Sequence, residues 1–248
     1  MSEAMWMIII LSYLFMVFSM LGWVLELFFR RFISMKKWIN PGLLKGPYLP
    51  IYGTGVVCLY VFIHIMKSFE GYFAASWLFD LSVIVGIGAL MTLIELIGGL
   101  IFIRGMKVRL WDYSKRWGNY KGVICPLYSL IWTLAGALFY YALFEPLNNM
   151  VYSFITLDWL LFAVLLVGVF FGIFIADFCE SVQLVSKVEK LAKEMRMEVD
   201  WDKLKSEIRE ELKSKSLKTS FLSPFNTPYG IATHMKMHLE VKRRNKKE

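Results

Sequence analysis

Glu95 stands in a run from Leu81 to Ile103 that carries no other charge. The next cation, Arg104, is nine residues further on, a helical rise of ~13 Å. No cation on its own helix can reach it. A carboxyl at that depth must face a protein interior, accept hydrogen bonds, pair with another helix or hold a proton, because lipid leaves a charge unsolvated. Gly86, Gly88, Gly98 and Gly99 lie around it and let helices approach closely. Glu26 and Arg30 have the i,i+4 spacing of a helical ion pair. Their plain reading is an interfacial pair that snorkels to water; the alternative is a share in a site. Asp177, at the end of the last apolar run, reads as a solvated helix end.

Two connections add polar groups among stiff or aromatic residues. Three prolines and three glycines fall between Asn40 and Gly53, which forbids a regular helix there. Apolar irregular backbone at membrane depth is tolerated only when buried in protein or lining a cavity. The stretch is either a tight interfacial turn or a re-entrant wall presenting Asn40, Tyr48 and Tyr52. The segments Arg109–Ser114 and Trp117–Gly122 are rich in Trp and Tyr, as an interfacial belt would be. Arg109, Trp111, Asp112 and Asn119 could equally be the convergent polar groups of an aromatic-walled pocket. The candidate substrate-binding set is thus Glu26, Arg30, Asn40, Tyr48, Tyr52, Glu95, Arg109, Trp111, Asp112 and Asn119. These are expected in one cleft open to the cytoplasm, with Glu95 at its floor and Arg109–Asp112 at its mouth. No catalytic residue is assigned.

The elements that must position these residues are membrane spans. Of 248 residues 57% are hydrophobic and 19% charged, against about 25% charged in soluble domains. That excludes a disordered chain and a disulfide-stapled miniprotein, and argues against a soluble enzyme. Five runs reach the ~20 residues that a spanning helix needs: 5–29, 48–66, 76–103, 123–144 and 155–179. None alternates as barrel strands do. The expected fold class is all-α, a polytopic bundle of five transmembrane helices with a helical cytoplasmic C-terminal tail.

Of the 28 Lys and Arg, 27 fall in the first and third connections and the tail. By the positive-inside bias those segments are cytoplasmic and the N-terminus is outside. The first run lacks a basic leader and its cations follow it, so it reads as a retained anchor rather than a cleaved signal peptide. The charge of +8 is largely the positive-inside signal plus the tail, so it needs no nucleic-acid partner, while contact with anionic lipid fits it.

Several chemistries find no motif. There is no phosphate-binding Gly-x-x-x-x-Gly-Lys loop, no His-Glu-x-x-His and no Gly-x-Ser-x-Gly. Cys58, Cys125 and Cys179 lie in or beside spans and form no paired metal motif. His234 and His238 share a helical spacing in a basic tail, a poor site for a metal. No metal and no cofactor is expected. Gly168, Gly172 and Ala176 form a small-residue stripe, which suggests close packing on a helix of the same chain or of a second copy.

Domain organisation follows the same division: residues 1–179 as the transmembrane domain, 180–248 as a charged tail, helical to about 215. Leu184, Val188, Leu191 and Met195 repeat at helical spacing, as do Leu204, Ile208 and Leu212, with Asp200 as N-cap between the two sets. Such a helix lies on a membrane or packs on a partner. Ser223-Pro224 and Thr227-Pro228 break structure, and the basic end is expected to be mobile near lipid.

Ser19 to Arg30, Asn40-Pro41-Gly42, Gly46 to Gly53, Glu95, Val108 to Ser114 and Asn119 to Cys125 together resemble the bacterial membrane family of ABC-transporter permeases of the CmpB type. The likeness covers about the first four spans and leaves out the charged tail. It implies a multi-pass protein of the bacterial cytoplasmic (inner) membrane, a permease-like transporter subunit, and a separate ATPase subunit as partner. A homodimer through the small-residue stripe and bound membrane lipids complete the expected partners. Two other readings stay open. One is an intramembrane enzyme using Glu95, Asp112 and Arg109 on a lipid-linked substrate at the cytoplasmic interface. The other is a regulatory or assembly protein whose polar residues only tie helices together.

Overall fold

The computed structural model describes residues 3–154, 157–194 and 199–214. The Ser223-Pro224 and Thr227-Pro228 breaks, the His234/His238 pair and the basic end lie outside the described residues. Five helices are long and apolar enough to cross a membrane. Helix α1 covers Glu3–Phe29, α2 Pro50–Lys67 and α3 Ser76–Leu100. Next come a short strand β1, Val108–Arg109, helix α4, Pro126–Leu138, and α5, Phe144–Phe154. Helix α6 covers Leu157–Glu194, strand β2 Val199–Asp200 and helix α7 Trp201–Ser214. The all-α reading with five spanning helices holds.

The span ends differ from the hydropathy limits for local reasons. Helix α2 starts at Pro50, two residues later than expected, and α4 at Pro126, three later. Each proline opens its helix, where the missing N–H has no partner to lose. Helices α1, α3 and α4 each run into a π-helical turn: Arg30–Ser34, Ile101–Gly105 and Phe139–Leu143. The first two turns are followed by Lys36 and Lys107 in the left-handed region, at φ 54 and 56, which ends the helical path. Helix α6 does not stop at Cys179. Its 38 residues are ~57 Å long, about twice the hydrocarbon thickness. Its charged last turns therefore extend beyond any apolar layer.

The described chain forms two compact units, to both of which α1, α3 and α6 contribute. The first comprises Met1–Gly22, Pro50–Gly98 and Asp112–Ile173. Its core joins Leu14, Tyr60, Ile63, Val83, Ile87, Phe139 and Phe144. Close approach here depends on glycine: a Cβ at Gly53 would lie 2.2 Å from the Ser19 Oγ and 2.5 Å from the Phe15 carbonyl oxygen. On α6 the opposite holds. No atom of the described chain comes within 4 Å of a Cβ built at Gly168 or Gly172, so the stripe is not used to pack within the described chain.

The second unit comprises Trp23–Leu49, Gly99–Trp111 and Phe174–Glu248. Strands β1 and β2 pair in parallel, Val108 opposite Val199 and Arg109 opposite Asp200. The Asp200 Oδ1 accepts the Lys203 N–H at 3.1 Å, the N-cap that the sequence suggests. Trp201, Leu204, Ile208 and Leu212 recur on one face of α7 and are fully buried with Val185, Val188, Val108 and Val199. Burying each of the aliphatic side chains stabilises by about 1.5–3 kcal/mol, so this stripe holds α7 in place. The apolar stripe of α7 is covered from within the chain, by the last turns of α6 and by β1.

Candidate functional site

Helix α3 carries Glu95 into the first unit, where the side chain is buried, with the residue 5% exposed. Its Oε1 accepts a hydrogen bond from the Tyr113 hydroxyl at 2.9 Å. Its Oε2 is buried too. Trp132 of α4 stands within reach of the same carboxyl, with its indole N–H buried. Rings frame these groups. Tyr113 stacks on Tyr128, with centroids 4.1 Å apart and planes 9° apart, and Tyr52 meets Trp132 edge-on at 5.7 Å. Among the described residues no charged side chain acts on Glu95. The site is a carboxyl surrounded by neutral donors and aromatic carbon.

The loop before α4 delivers Tyr113. Asn119 braces it: its Nδ2 donates to the Ser114 and Arg116 carbonyls and its Oδ1 accepts the Gly122 N–H. Gly122 has φ 69, which a side chain would disfavour. Asp112 is exposed, and its carboxylate accepts the Ser114 N–H at 2.9 Å. Asn119 and Asp112 thus shape the turn that holds Tyr113.

The other candidates lie in the second unit. Arg30 pairs with Glu26 at 3.1 Å and also with Asp202 of α7. Arg30 is only 7% exposed, so the pair does not snorkel to water; it is part of a buried cluster. Lys205, 3% exposed, donates to the carbonyls of Asn40 at 3.0 Å and Gly42 at 2.6 Å. The Trp201 indole N–H also bonds the Gly42 carbonyl, at 3.1 Å. Burial lowers the Lys205 ammonium to about 7, against the pull of Asp202. Burial likewise pushes the Asp202 carboxyl up, opposed by Arg30 and Lys205. Asn40 is an internal brace: it accepts the Trp23 indole N–H at 2.6 Å and donates to the Leu44 and Lys45 carbonyls at 3.1 Å. Arg109 lies in β1 and Trp111 is half-buried just after it.

Asp177 corrects the reading of a solvated helix end. Its Oδ1 accepts the Lys45 N–H at 3.0 Å and the Ser181 hydroxyl at 3.1 Å. Its Oδ2 accepts the Gly46 N–H and the Tyr48 hydroxyl, each at 2.7 Å. One carboxylate therefore fixes the Gly-Pro-rich turn, because it satisfies two N–H groups that irregular backbone leaves unpaired.

The ten candidate residues thus divide. Tyr52, Glu95, Asp112 and Asn119 belong to the first unit; Glu26, Arg30, Asn40, Tyr48, Arg109 and Trp111 belong to the second. Sequence reasoning passed over Tyr113, Trp132, Asp202 and Lys205. Lys205 had a visible signal, since it falls four residues after Trp201 and three before Ile208, on the apolar stripe itself.

The family described as "Putative ABC-transporter type IV" matches residues 13–182, well over half of the chain. The chain belongs to this family. It is a multi-pass membrane protein of the ABC-transporter type. The matched region of this transporter family contains Glu95, Tyr113, Trp132 and Asp177 and ends before Asp202 and Lys205. No curated protein and no solved structure matches the chain.

Proposed function

We propose that the protein is the permease-like membrane subunit of a transporter, and that its substrate, small and polar or amphipathic, passes Glu95. The observation that carries this reading is the buried, uncompensated carboxyl of Glu95 among Tyr52, Tyr113, Tyr128 and Trp132 in a chain of an ABC-transporter family. An ionisable group kept at membrane depth without a counter-charge is costly, and a transport pathway is a common reason for it. Of the other candidates in the same unit, Asp112 and Asn119 brace the turn that carries Tyr113. A separate ATPase chain supplies the energy, since residues 13–182 fit the transporter family and no phosphate-binding loop occurs in the sequence.

The protein sits in the bacterial cytoplasmic membrane, with residues 1–179 as the transmembrane part and 180–248 as the cytoplasmic tail. The one-sided distribution of 27 of 28 cations supports an outside N-terminus. Membrane lipids cover the exposed apolar faces, and a second copy packs on Gly168 and Gly172. Cysteine labelling from outside will modify a Cys at Ser68 and spare one at Ser114; the reverse pattern would overturn the orientation.

The test of function is purification of the full chain with whatever co-purifies, followed by uptake into vesicles. A co-purifying ATPase and uptake that Glu95→Gln abolishes support the reading. Turnover of a lipid-linked substrate, lost in Glu95→Gln and without movement across the bilayer, would replace it with a membrane enzyme.

A further inference from the structure

Where the first span ends, three aromatic rings lie exposed and in contact with one another. Phe28 stacks on Phe32, with centroids 6.0 Å apart and planes 4° apart. Trp38 meets the two edge-on, at 5.8 and 6.3 Å. All three residues are exposed, and so is Ile33 beside them. Phe28 lies in the last turn of α1 and Phe32 and Ile33 in the π-helical turn Arg30–Ser34, where the apolar run gives way to cations.

Two of those cations sit on this platform without a carboxylate. The Arg31 guanidinium lies 5.9 Å from the Phe32 ring centre and 5.7 Å from that of Trp38. Its Nη1 donates to the Lys36 carbonyl at 2.6 Å. Lys36 is exposed, and its N–H and that of Met35 both bond the Arg30 carbonyl. Neighbouring cations are compensated: Arg30 pairs with Glu26 and Asp202, and Lys37 with Glu210. Among the described residues no carboxylate pairs with Arg31 or Lys36, and no Asp or Glu occurs between Glu26 and Glu70. Helix α7 fastens the platform from the protein side. The Arg209 Nη1 donates to the Trp38 carbonyl at 2.5 Å, and the Lys37 Nζ to the Ser206 Oγ at 3.4 Å. Rings and cations are thus in place before a ligand arrives, which lowers the cost of binding one.

Exposed rings at the end of a span belong in the interfacial layer of a membrane, at the level of the headgroups. Lipid phosphates lie at that same level. A guanidinium tied by one N–H keeps donors for a phosphate and suits its geometry. An acidic peptide would match the cations but leave the rings and Ile33 facing water. A zwitterionic lipid brings its own ammonium, which opposes Arg31 and Lys36. We propose that Arg31 and Lys36 form a headgroup site for an anionic phospholipid of the bilayer, with the phosphate on the two cations and the acyl chains against Phe28, Phe32 and Ile33. This is one specific site, distinct from the general cover of lipid on apolar faces.

Trp38 is the reporter. The full chain is placed in vesicles of phosphatidylcholine and phosphatidylglycerol, with one or the other lipid brominated. Bromine quenches tryptophan on contact, and the difference between the unsubstituted protein and Trp38→Phe isolates the Trp38 signal. Phosphatidylglycerol should be enriched at Trp38 over phosphatidylcholine by about 25-fold, taking about fivefold for each cation at the membrane surface. Arg31→Gln keeps an amide donor for the Lys36 carbonyl and should cut the preference about fivefold. Lys36→Asn should do the same, since asparagine accepts the left-handed conformation found there, at φ 54. It decides the matter if Arg31→Gln does not fold. The double variant should show no preference. Equal quenching by both lipids in the unsubstituted protein, or a preference that survives loss of both cations, would overturn the site. Quenching by neither lipid would mean that a protein covers the rings, and would overturn it too. If both lipids quench alike while inorganic phosphate shields the Lys36 amine from acylation, the ligand is free phosphate and not a lipid. None of these readouts depends on transport.

Discussion

Two buried polar clusters in this protein solve the same problem differently. In the second unit Arg30, Glu26, Asp202 and Lys205 place opposite charges against each other and against backbone carbonyls. In the first unit Glu95 has a tyrosine hydroxyl donor, a tryptophan indole within reach and, among the described residues, no counter-charge. The first arrangement binds segments together, because each charge is kept only by its partners. The second binds little. A compensated cluster should therefore fail when one member is removed, whereas an uncompensated group should be dispensable for the fold and indispensable for function.

The largest expected effect comes from breaking the compensated side. Asp202→Ala leaves Arg30 and Lys205 buried close together, and a buried charge robbed of its partner costs about 3–5 kcal/mol. Helix α7 should detach, which limited proteolysis and thermal unfolding in detergent will register. An unchanged melting temperature would mean that the apolar stripe alone holds α7.

Asp177→Ala should cost somewhat less, about 2–3 kcal/mol, because neutral donors lose a charged acceptor but water can reach part of the site. The readout is faster proteolysis of the 40–49 turn with α7 still docked. If α7 is released as well, the turn and α7 form one cooperative piece rather than two.

The third effect is graded with pH. The folded value of Lys205, about 7, lies below its ordinary 10.5, so between these values the unfolded chain binds the extra proton. Stability rises with pH through that window, and the contribution is lost as pH falls through the folded value. Unfolding of the docked α7 should need more denaturant near the top of the window than at its foot, and Lys205→Met should flatten the dependence. A flat profile in the unsubstituted protein would show that Asp202 holds the Lys205 ammonium charged throughout.

The smallest effect belongs to the uncompensated side. Glu95→Leu should change stability by no more than about 1 kcal/mol, or raise it, since it gives up the Tyr113 hydrogen bond and removes a buried polar group. A loss as large as that of Asp202→Ala would make Glu95 a structural strut and erase the contrast between the two clusters.

Legibility differed in the same way between the regions. Glu95 could be picked out because one carboxyl in an apolar run is anomalous on any arrangement of helices. Its partners Tyr113 and Trp132 could not, because Trp and Tyr are common at membrane interfaces and most serve there as a belt. Asp177 was misread for a related cause. A carboxylate at the end of an apolar helix faces water by default, and only the fold returns the turn at residues 45–48 to it. Arg30 was seen with its helical neighbour Glu26, four residues away, but not with Asp202, 172 residues further along the chain.

By itself, the sequence determined five spanning helices, the Asp200 cap, the amphipathic face of α7 and the depth of Glu95. Each rests on short-range facts: the length of an apolar run, the 3.6-residue period, a side chain within three residues of the backbone it caps. Only the tertiary structure decided what the buried polar groups do. It folded α7 back so that its apolar stripe is covered within the chain, put Asp202 and Lys205 around Arg30 and the Asn40–Gly42 carbonyls, and left Glu95 with no charge to meet among the described residues. Whether a buried charge is paired depends on groups far away in sequence, and hydropathy, which averages over neighbours, carries no record of them.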